Sequence, residues 1–461
     1  MSQPMRKQDK KPPTALSATG EPTPQVRYPG ERWVEGNLPR IHEPWPLPDA
    51  GRTELEGERY DALRSDVARY CADRVWVWPR QTLYFFCDVH ADTDALFTSL
   101  VASGGVRKTG EGDAEFELTE AGREAKFVVG GDCFDKGPSN LRLLRALKGL
   151  VDAGADVEIL AGNHDLRTMV GLAYVGRKEP RFAHLFVRMG KKTIPLFQEV
   201  WREYCKGNVD PKDYPDEATL REMLIPDEGW YGDFPGAVAG LVPEKKLRKE
   251  LARIREKVSE LQAKCDELGV ELWQVYAAVR KCQELFLEPD GEFHWFFERM
   301  KLAVQHGSYL FIHAGLGDQT ADVLRRDGVD GLNRWFHRML ETDVFELYFG
   351  PLGNAFRTKY RDIDYPLSAQ GVLDVRLAGV NAIVHGHKNI LEGHRVVLRN
   401  GLLNFECDCS VDRNTRRIEG LEGAGGAVAV FRPDGRVHGI STDHGAIKVF
   451  DPAEFAPLSI V

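Results

Sequence analysis

What this 461-residue chain lacks narrows its function before any motif is considered. No GxxxxGK followed by Ser or Thr occurs, which excludes a P-loop. The pair Gly104-Gly105 and the run Gly423 to Gly426 stand alone as turn glycines rather than dinucleotide cradles. No CxxC pair occurs among the eight cysteines, and Cys407-Asp-Cys409 has no partner pair at zinc-finger spacing. The cysteines therefore read as reduced, mostly buried thiols. Positive charge is not in excess: 61 Lys and Arg against 70 Asp and Glu give a net charge of -9. A general binder of phosphate backbones is disfavoured, and no nucleic-acid partner is expected. No apolar run reaches membrane-spanning length, and the N-terminal stretch has no apolar leader core. No membrane partner is expected, and the expected location is cytoplasmic.

With 43% hydrophobic and 28% charged residues, the chain can bury a full core. Ten of its 25 prolines fall in residues 1–48, so residues 1–50 are expected to be a disordered or extended tail. Folding is expected to begin near Glu54, where Tyr60, Leu63, Val67 and Tyr70 recur at helical spacing. Beyond that, five apolar runs each end in a polar cluster. Thr82 to Cys87 leads to Asp88-Val89-His90, and Phe127 to Gly130 leads to Gly131-Asp-Cys-Phe-Asp-Lys-Gly137. Val157 to Ala161 leads to Gly162-Asn-His-Asp165, Tyr309 to Ile312 to His313-Ala-Gly315, and Ala382 to Val384 to His385-Gly-His387. The runs are too short for helices and read as buried strands, with helical patterns such as Leu141 to Leu150 between them. Alternating strands and helices imply an α/β protein whose ligands collect at the carboxyl ends of strands. Gly401 to Phe405, Gly426 to Phe431 and Val437 to Ser441, with a turn at Pro433-Asp-Gly435, read as added antiparallel strands.

Residues 171–299 have a different character. From Leu247 to Phe286, apolar residues follow alternating steps of four and three, through Ile254, Leu261, Cys265, Val275 and Cys282. This heptad segment, 244–288, starts after Pro243 and stops at Pro289-Asp-Gly291, with Gly269 its one weak position. It reads either as an amphipathic helix or bent helical pair packed on its own chain, or as a coiled coil giving a homodimer. Trp295, Phe296, Phe297, Trp335 and Phe336 are expected to pack this insertion against the core.

Asp, Asn and His delivered from five strand ends suit a pair of divalent cations. The motifs DxH, GDxxDxG, GNHD, HAG and GH, in this order, resemble the calcineurin-like metallophosphoesterase superfamily. The nearer likeness is to its phosphoprotein phosphatase and bacterial diadenosine tetraphosphatase branch. It covers about Thr82 to Asp165 and Tyr309 to Asp408. The resemblance implies a mixed β-sheet sandwich flanked by helices, formed by residues 51–170 and 300–461 and interrupted by the long helical insertion. It also implies Asp88 and His90 as ligands of one metal, Asp132 as the bridging carboxylate, and Asn163, His313 and His387 as ligands of the second. His164 would be the general acid and Asp135 the carboxylate that orients it. The metals would be Mn, Fe or Zn, and the partner a phosphorylated substrate.

The bare residues admit plainer readings: Asp132, Asp135 and Asp165 as helix caps, His313 as a core histidine, His385 as a packed or hydrogen-bonded one. Departures from the family pattern concern phosphate binding. Lys136 and Ala161 stand where the phosphoprotein phosphatases carry Arg, and Ala91 where they carry Gly. A guanidinium clamps phosphate in bidentate fashion whereas an ammonium is a point charge. Arg167 or Arg357 could supply the missing guanidinium, and His385 could reach metal or phosphate. The leading reading is a dinuclear phosphatase acting on a phosphoprotein or other phosphomonoester. A dinucleoside polyphosphate hydrolase is the alternative, and a coiled-coil interaction protein on a retained phosphoesterase fold is the non-enzymatic one.

Overall fold

The computed structural model describes residues 26–45 and 65–454; residues 1–25 and 46–50 of the expected tail and the start of the helix near Tyr60 lie outside them, whereas residues 26–45 of that tail pack on the fold, bury Tyr28, Leu38 and Trp45 and contribute a strand at His42–Pro44. Residues 65–72 are helical and bury Val67 and Tyr70. The strands are β1 (His42–Pro44), β2 (Leu83–Phe86), β3 (Val106–Lys108), β4 (Phe116–Leu118), β5 (Lys126–Val129), β6 (Asp156–Leu160) and β7 (Met300–Lys301) in the first half of the fold. They continue with β8 (Ala303–His306), β9 (Tyr309–Ile312), β10 (Ala382–His385), β11 (Arg395–Arg399), β12 (Leu402–Glu406), β13 (Ala427–Phe431), β14 (Val437–Ser441) and β15 (Ile447–Phe450).

Two sheets carry the architecture. One is ordered β1-β15-β14-β13-β2-β5-β6-β7 and the other β11-β12-β10-β9-β8, with β3 and β4 paired apart. β2, β5, β6 and β7 run parallel, as do β9, β10 and β12, while β13 to β15 are antiparallel additions. The expected C-terminal strands are therefore present, but β12, expected as an antiparallel addition, runs parallel to β10 inside the second sheet and antiparallel only to β11; β11 and β15 are further strands.

Side-chain alternation explains the layering, because successive residues of a strand point to opposite faces. Leu83 and Phe85 of β2, Val128 of β5 and Leu160 of β6 share one apolar cluster with Tyr309, Phe311, Val384 and Phe405 of the second sheet. Ring contacts cross the interface: Phe85 to Phe311 at 5.6 Å, and Phe431 to Tyr309 and to Phe311 at 5.0 Å. Their neighbours Tyr84, Phe86, Phe127 and Val129 point the other way, into the cluster shared with the helices. Strands clothed on both faces read as continuous apolar runs, as these do. The result is a mixed-sheet sandwich flanked by helices.

Helices α1 (Thr93–Ala102), α2 (Asn140–Asp152) and α3 (Asn163–Ala173) follow β2, β5 and β6. Ser139 caps α2 through the Arg142 N–H, which leaves the carboxylates of Asp132 and Asp135 for other work. The heptad segment is two helices, not one: α4 (Glu244–Leu268) and α5 (Leu272–Leu287). Gly269 ends α4 in the left-handed region at φ 61°, which glycine adopts without a Cβ penalty. Pro243 stands just before α4. Ile254, Leu261, Cys265, Val275, Val279, Cys282 and Phe286 are buried within this chain's own core cluster. The end of the insertion also grips a motif loop, because the Phe134 ring stacks on Phe297 at 5.6 Å and meets Phe286 and Phe296 edge-on at 5.7 Å. All eight cysteines are free and buried. No helix among the described residues is long and apolar enough to cross a membrane.

Candidate metal centre

The five motif loops leave adjacent strand ends on one side of the sandwich, and the backbone is strained where they meet. Of ten non-glycine residues with positive φ among the described residues, seven are motif residues or their neighbours: Asp88, His90, Ala91, Asp132, Asp135, Lys136 and His387. Such conformations cost on the order of 1–3 kcal/mol each and persist where surrounding structure dictates them, which is characteristic of functional sites. Glycines permit the approach. A Cβ on Gly162 would lie 2.1 Å from the Asp132 backbone nitrogen, and one on Gly386 would lie 2.1 Å from Asp88 Oδ2. Gly162→Ala is therefore expected to lower the thermal midpoint and weaken divalent-metal binding together; an unchanged melting curve and metal content would contradict the packing described here.

Asp165 holds the loops in place. Its buried carboxylate accepts from the N–H groups of Asp132 and Cys133 at 2.8 Å, Phe134 at 3.2 Å and Gly162 at 3.1 Å. It sits in the first turn of α3, as a capping residue would, yet most of its donors come from the neighbouring loop. Sequence spacing alone shows the cap and not this brace.

Two groups of ligand atoms share Asp132: His90, Asp132 and His164 in one, and Asp132, His313 and His387 in the other, with each group's ligand atoms lying within 4.8 Å of one another. Asp132 Oδ2 lies 3.8 Å from His90 Nε2 and 3.9 Å from His164 Nε2, and Asp132 Oδ1 lies 3.5 Å from His313 Nε2. Asp88 Oδ1 is 3.9 Å from His90 Nε2, while Asp88 Oδ2 accepts the His387 N–H at 3.0 Å. The Asn163 amide lies 3.4 Å from His313 Nε2, and the His313 and His387 rings are 5.3 Å apart.

Hydrogen bonds fix which imidazole nitrogens are free. His313 Nδ1 faces the Gly130 carbonyl at 2.8 Å and His90 Nδ1 the Phe134 carbonyl at 3.0 Å, so in each ring Nδ1 donates. Each Nε2 then presents a lone pair: that of His313 faces an Asp132 oxygen and calls for a cation between them, while that of His90 accepts from the Lys136 ammonium at 2.6 Å. The electrostatics agree. Burial, then the Asp132 charge, raises the Asp88 carboxyl to about 8, and burial, then Asp88, lifts Asp408 far above the carboxylate range. Burial also pushes His90 and His387 well below the ordinary imidazole value. Carboxyls whose charge is disfavoured by burial and by one another, beside imidazoles that burial keeps unprotonated, are groups that a bound cation would stabilise. The donor set fits divalent metal ions.

Around this centre His164 Nδ1 meets Asp135 Oδ2 at 2.8 Å, and Arg167 bonds the same Asp135 oxygen. Lys136 Nζ is 2.6 Å from His90 Nε2. Arg357 lines the cleft beside Asn163 and His387. His385 points elsewhere: its Nδ1 is 2.9 Å from the Gly386 carbonyl oxygen, and burial lowers its pKa to about 4 despite nearby Glu406.

No family model and no curated protein matches the chain. Among solved structures, a cold-active protein-tyrosine phosphatase of a psychrophilic Shewanella species is similar over 91% of this chain and 90% of its own, at 15% identity and a TM-score of 0.42. A protein serine/threonine phosphatase from Saccharomyces cerevisiae is similar over 84% of this chain and 87% of its own, at 11% identity and a TM-score of 0.37. Both scores fall below 0.5, and the site geometry stands independently of them.

Residues that motif spacing did not single out also border the centre. Lys246, Lys249, Arg253 and Lys257 of α4 line the cleft that holds Arg167 and Arg357. Their spacing of three, four and four was visible as one helical face, but nothing in the sequence says what that face meets.

Proposed function

We propose that the chain is a phosphoester hydrolase dependent on two divalent metal ions, acting on a phosphomonoester such as a phosphoprotein. The sharing of Asp132 between two ligand groups supports this reading most directly. Asp88 and His90 would hold one ion, Asn163, His313 and His387 the other, and Asp132 would bridge them. When bound, such a pair supplies an activated water and positive charge for the phosphate oxygens.

The protein's own groups do the rest. Asp135 fixes the His164 ring through Nδ1 and turns Nε2 toward the centre, where a leaving oxygen would need its proton. Burial, then the Arg167 and Lys136 charges, push the His164 imidazole well below its ordinary range, and an incoming phosphate dianion opposes those charges. Arg357, which lines the cleft, would bind phosphate oxygens at its open end, whereas Arg167 pairs with Asp135 and would help orient the acid.

Hydrolysis of p-nitrophenyl phosphate is expected only with added divalent metal. His164→Ala is expected to lower kcat by about 10²–10⁴ for an alkyl phosphate, whose leaving group needs a proton, and much less for p-nitrophenyl phosphate. Equal losses on the two substrates would reject His164 as the acid; metal-independent turnover would reject the reading as a whole.

A further inference from the structure

We infer that the insertion gives the hydrolytic centre a second anion subsite, which selects small molecules carrying several phosphoryl groups over those carrying one. The inference rests on the metal-dependent hydrolysis of the phosphoesterase reading and replaces its phosphomonoester substrate with a small molecule carrying several phosphoryl groups. A cavity of about 420 Å³ opens beside Asn163 and His387 and extends along the first half of α4. From α4 it receives Lys246, Lys249, Arg253 and Lys257, and from the facing wall Arg167, Arg188, Arg357, Lys359 and Arg361.

Glu250 and Asp364 are the acidic residues among its lining. Both are already engaged. Glu250 pairs with buried Arg188 and lies 3.7 Å from Arg253, while Asp364 lies 3.6 Å from Arg361 and accepts from the Lys359 and Arg361 N–H groups at 3.0 Å. A chain of net charge -9 thus gathers nine cationic side chains around one cleft. Composition does not produce that, and the cations pay for it in repulsion. Burial, then the charges of Arg167, Arg188 and Arg253, bring Lys257 down to about 7, and burial followed by the Arg357 charge brings Arg188 to about 9. Such a surplus beside a centre that handles phosphate is relieved by an anion.

Length separates one phosphoryl group from several. Eleven residues at helical rise place Lys246 and Lys257 about 16 Å apart along α4, well beyond the reach of one phosphate already seated at the centre. The volume falls among cavities that enclose small molecules, at about 300–1,000 Å³, which favours an oligophosphate over a polypeptide.

Inorganic tripolyphosphate is the probe, used with the purified full chain. In calorimetric titration without added metal, Lys249→Ala combined with Arg253→Ala is expected to weaken tripolyphosphate binding by at least about tenfold, since each lost charge-assisted bond is worth about that factor. In the metal-supplemented assay, the same variant should lower the ratio of kcat/KM for tripolyphosphate to kcat/KM for p-nitrophenyl phosphate by at least about tenfold. Lys245→Ala, exposed and outside the cleft, should leave both readings as in the wild type. Unchanged binding and an unchanged ratio in the double variant would overturn the subsite. A doubly phosphorylated peptide that binds as tightly as tripolyphosphate, and is weakened equally, would overturn the small-molecule assignment. Absence of any hydrolysis by the wild type would defeat the phosphoesterase reading instead, while the titration would still decide the subsite.

Discussion

Asp132→Asn is expected to lower kcat on the order of a thousandfold or more and to remove at least one bound metal ion per chain, with the fold retained. Asp132 is the side chain common to both ligand groups, and its two oxygens face different histidines: Oδ1 toward His313, Oδ2 toward His90 and His164. An amide of the same shape has one oxygen, not two, and no charge. It cannot compensate two cations or accept both as ligands. Oδ1 also accepts the His164 N–H at 2.8 Å, a bond that the amide oxygen of Asn can keep. The change is therefore aimed at charge, not at shape. Metal content by mass spectrometry and turnover on p-nitrophenyl phosphate measure the two effects, and near wild-type values for both would sink the bridging assignment.

Glu406→Ala is expected to cost about 2–3 kcal/mol of stability, the loss of charge-assisted hydrogen bonds to guanidinium groups that are themselves only partly buried. That is a large share of the roughly 5–15 kcal/mol that holds a domain folded. Glu406 is fully buried at the end of β12, opposite His385 in the ladder, where it accepts from Arg395 Nε at 2.7 Å and pairs with Arg399; Lys388 is 3.6 Å away. Burial alone would raise its carboxyl, but Arg399, His385, Arg395 and Lys388 outweigh it and hold the pKa at about 2 against an ordinary 4.5. A depressed acid contributes stability that is present above pH 4.5 and is lost as the pH falls through about 2. The gap in unfolding free energy between wild type and Glu406→Gln should accordingly narrow from pH 5 to pH 3 in urea titrations. A gap as wide at pH 3 as at pH 7 would show that packing, not the ion pairs, sets the cost.

The strands were the most legible part of the chain. Leu83 to Phe86, Phe127 to Val129 and Tyr309 to Ile312 are runs clothed on both faces, and such runs announce buried strands without regard to their neighbours. The helix caps show the limit. Asp132, Asp135 and Asp165 could each be named a cap from spacing, but the folded loops show that Ser139 caps α2 while Asp165 braces the Gly131 to Gly137 loop. The heptad segment was legible in its period and in its weak position at Gly269, but the period alone left one helix and a bent pair equally open, because the seam survives the break when both halves pack on one core. His385 and His387 share a strand face by parity, yet the left-handed φ of 63° at His387 turns the chain there and places only His387 among the ligand atoms.

The sequence by itself determined the donor types and their order, since carboxylate, amide and imidazole groups at the ends of apolar runs follow from local patterning. The tertiary structure alone decided which of them meet, which nitrogen of each ring is free, and what lies across the cleft. Those outcomes depend on contacts between residues far apart in the chain, such as His313 with Gly130 and the cations of α4 with the cleft that holds Arg167 and Arg357. Local propensity fixes period and polarity over a few residues. Pairing between distant segments is settled by packing and by burial of charge, which act only once the sheets have closed on each other.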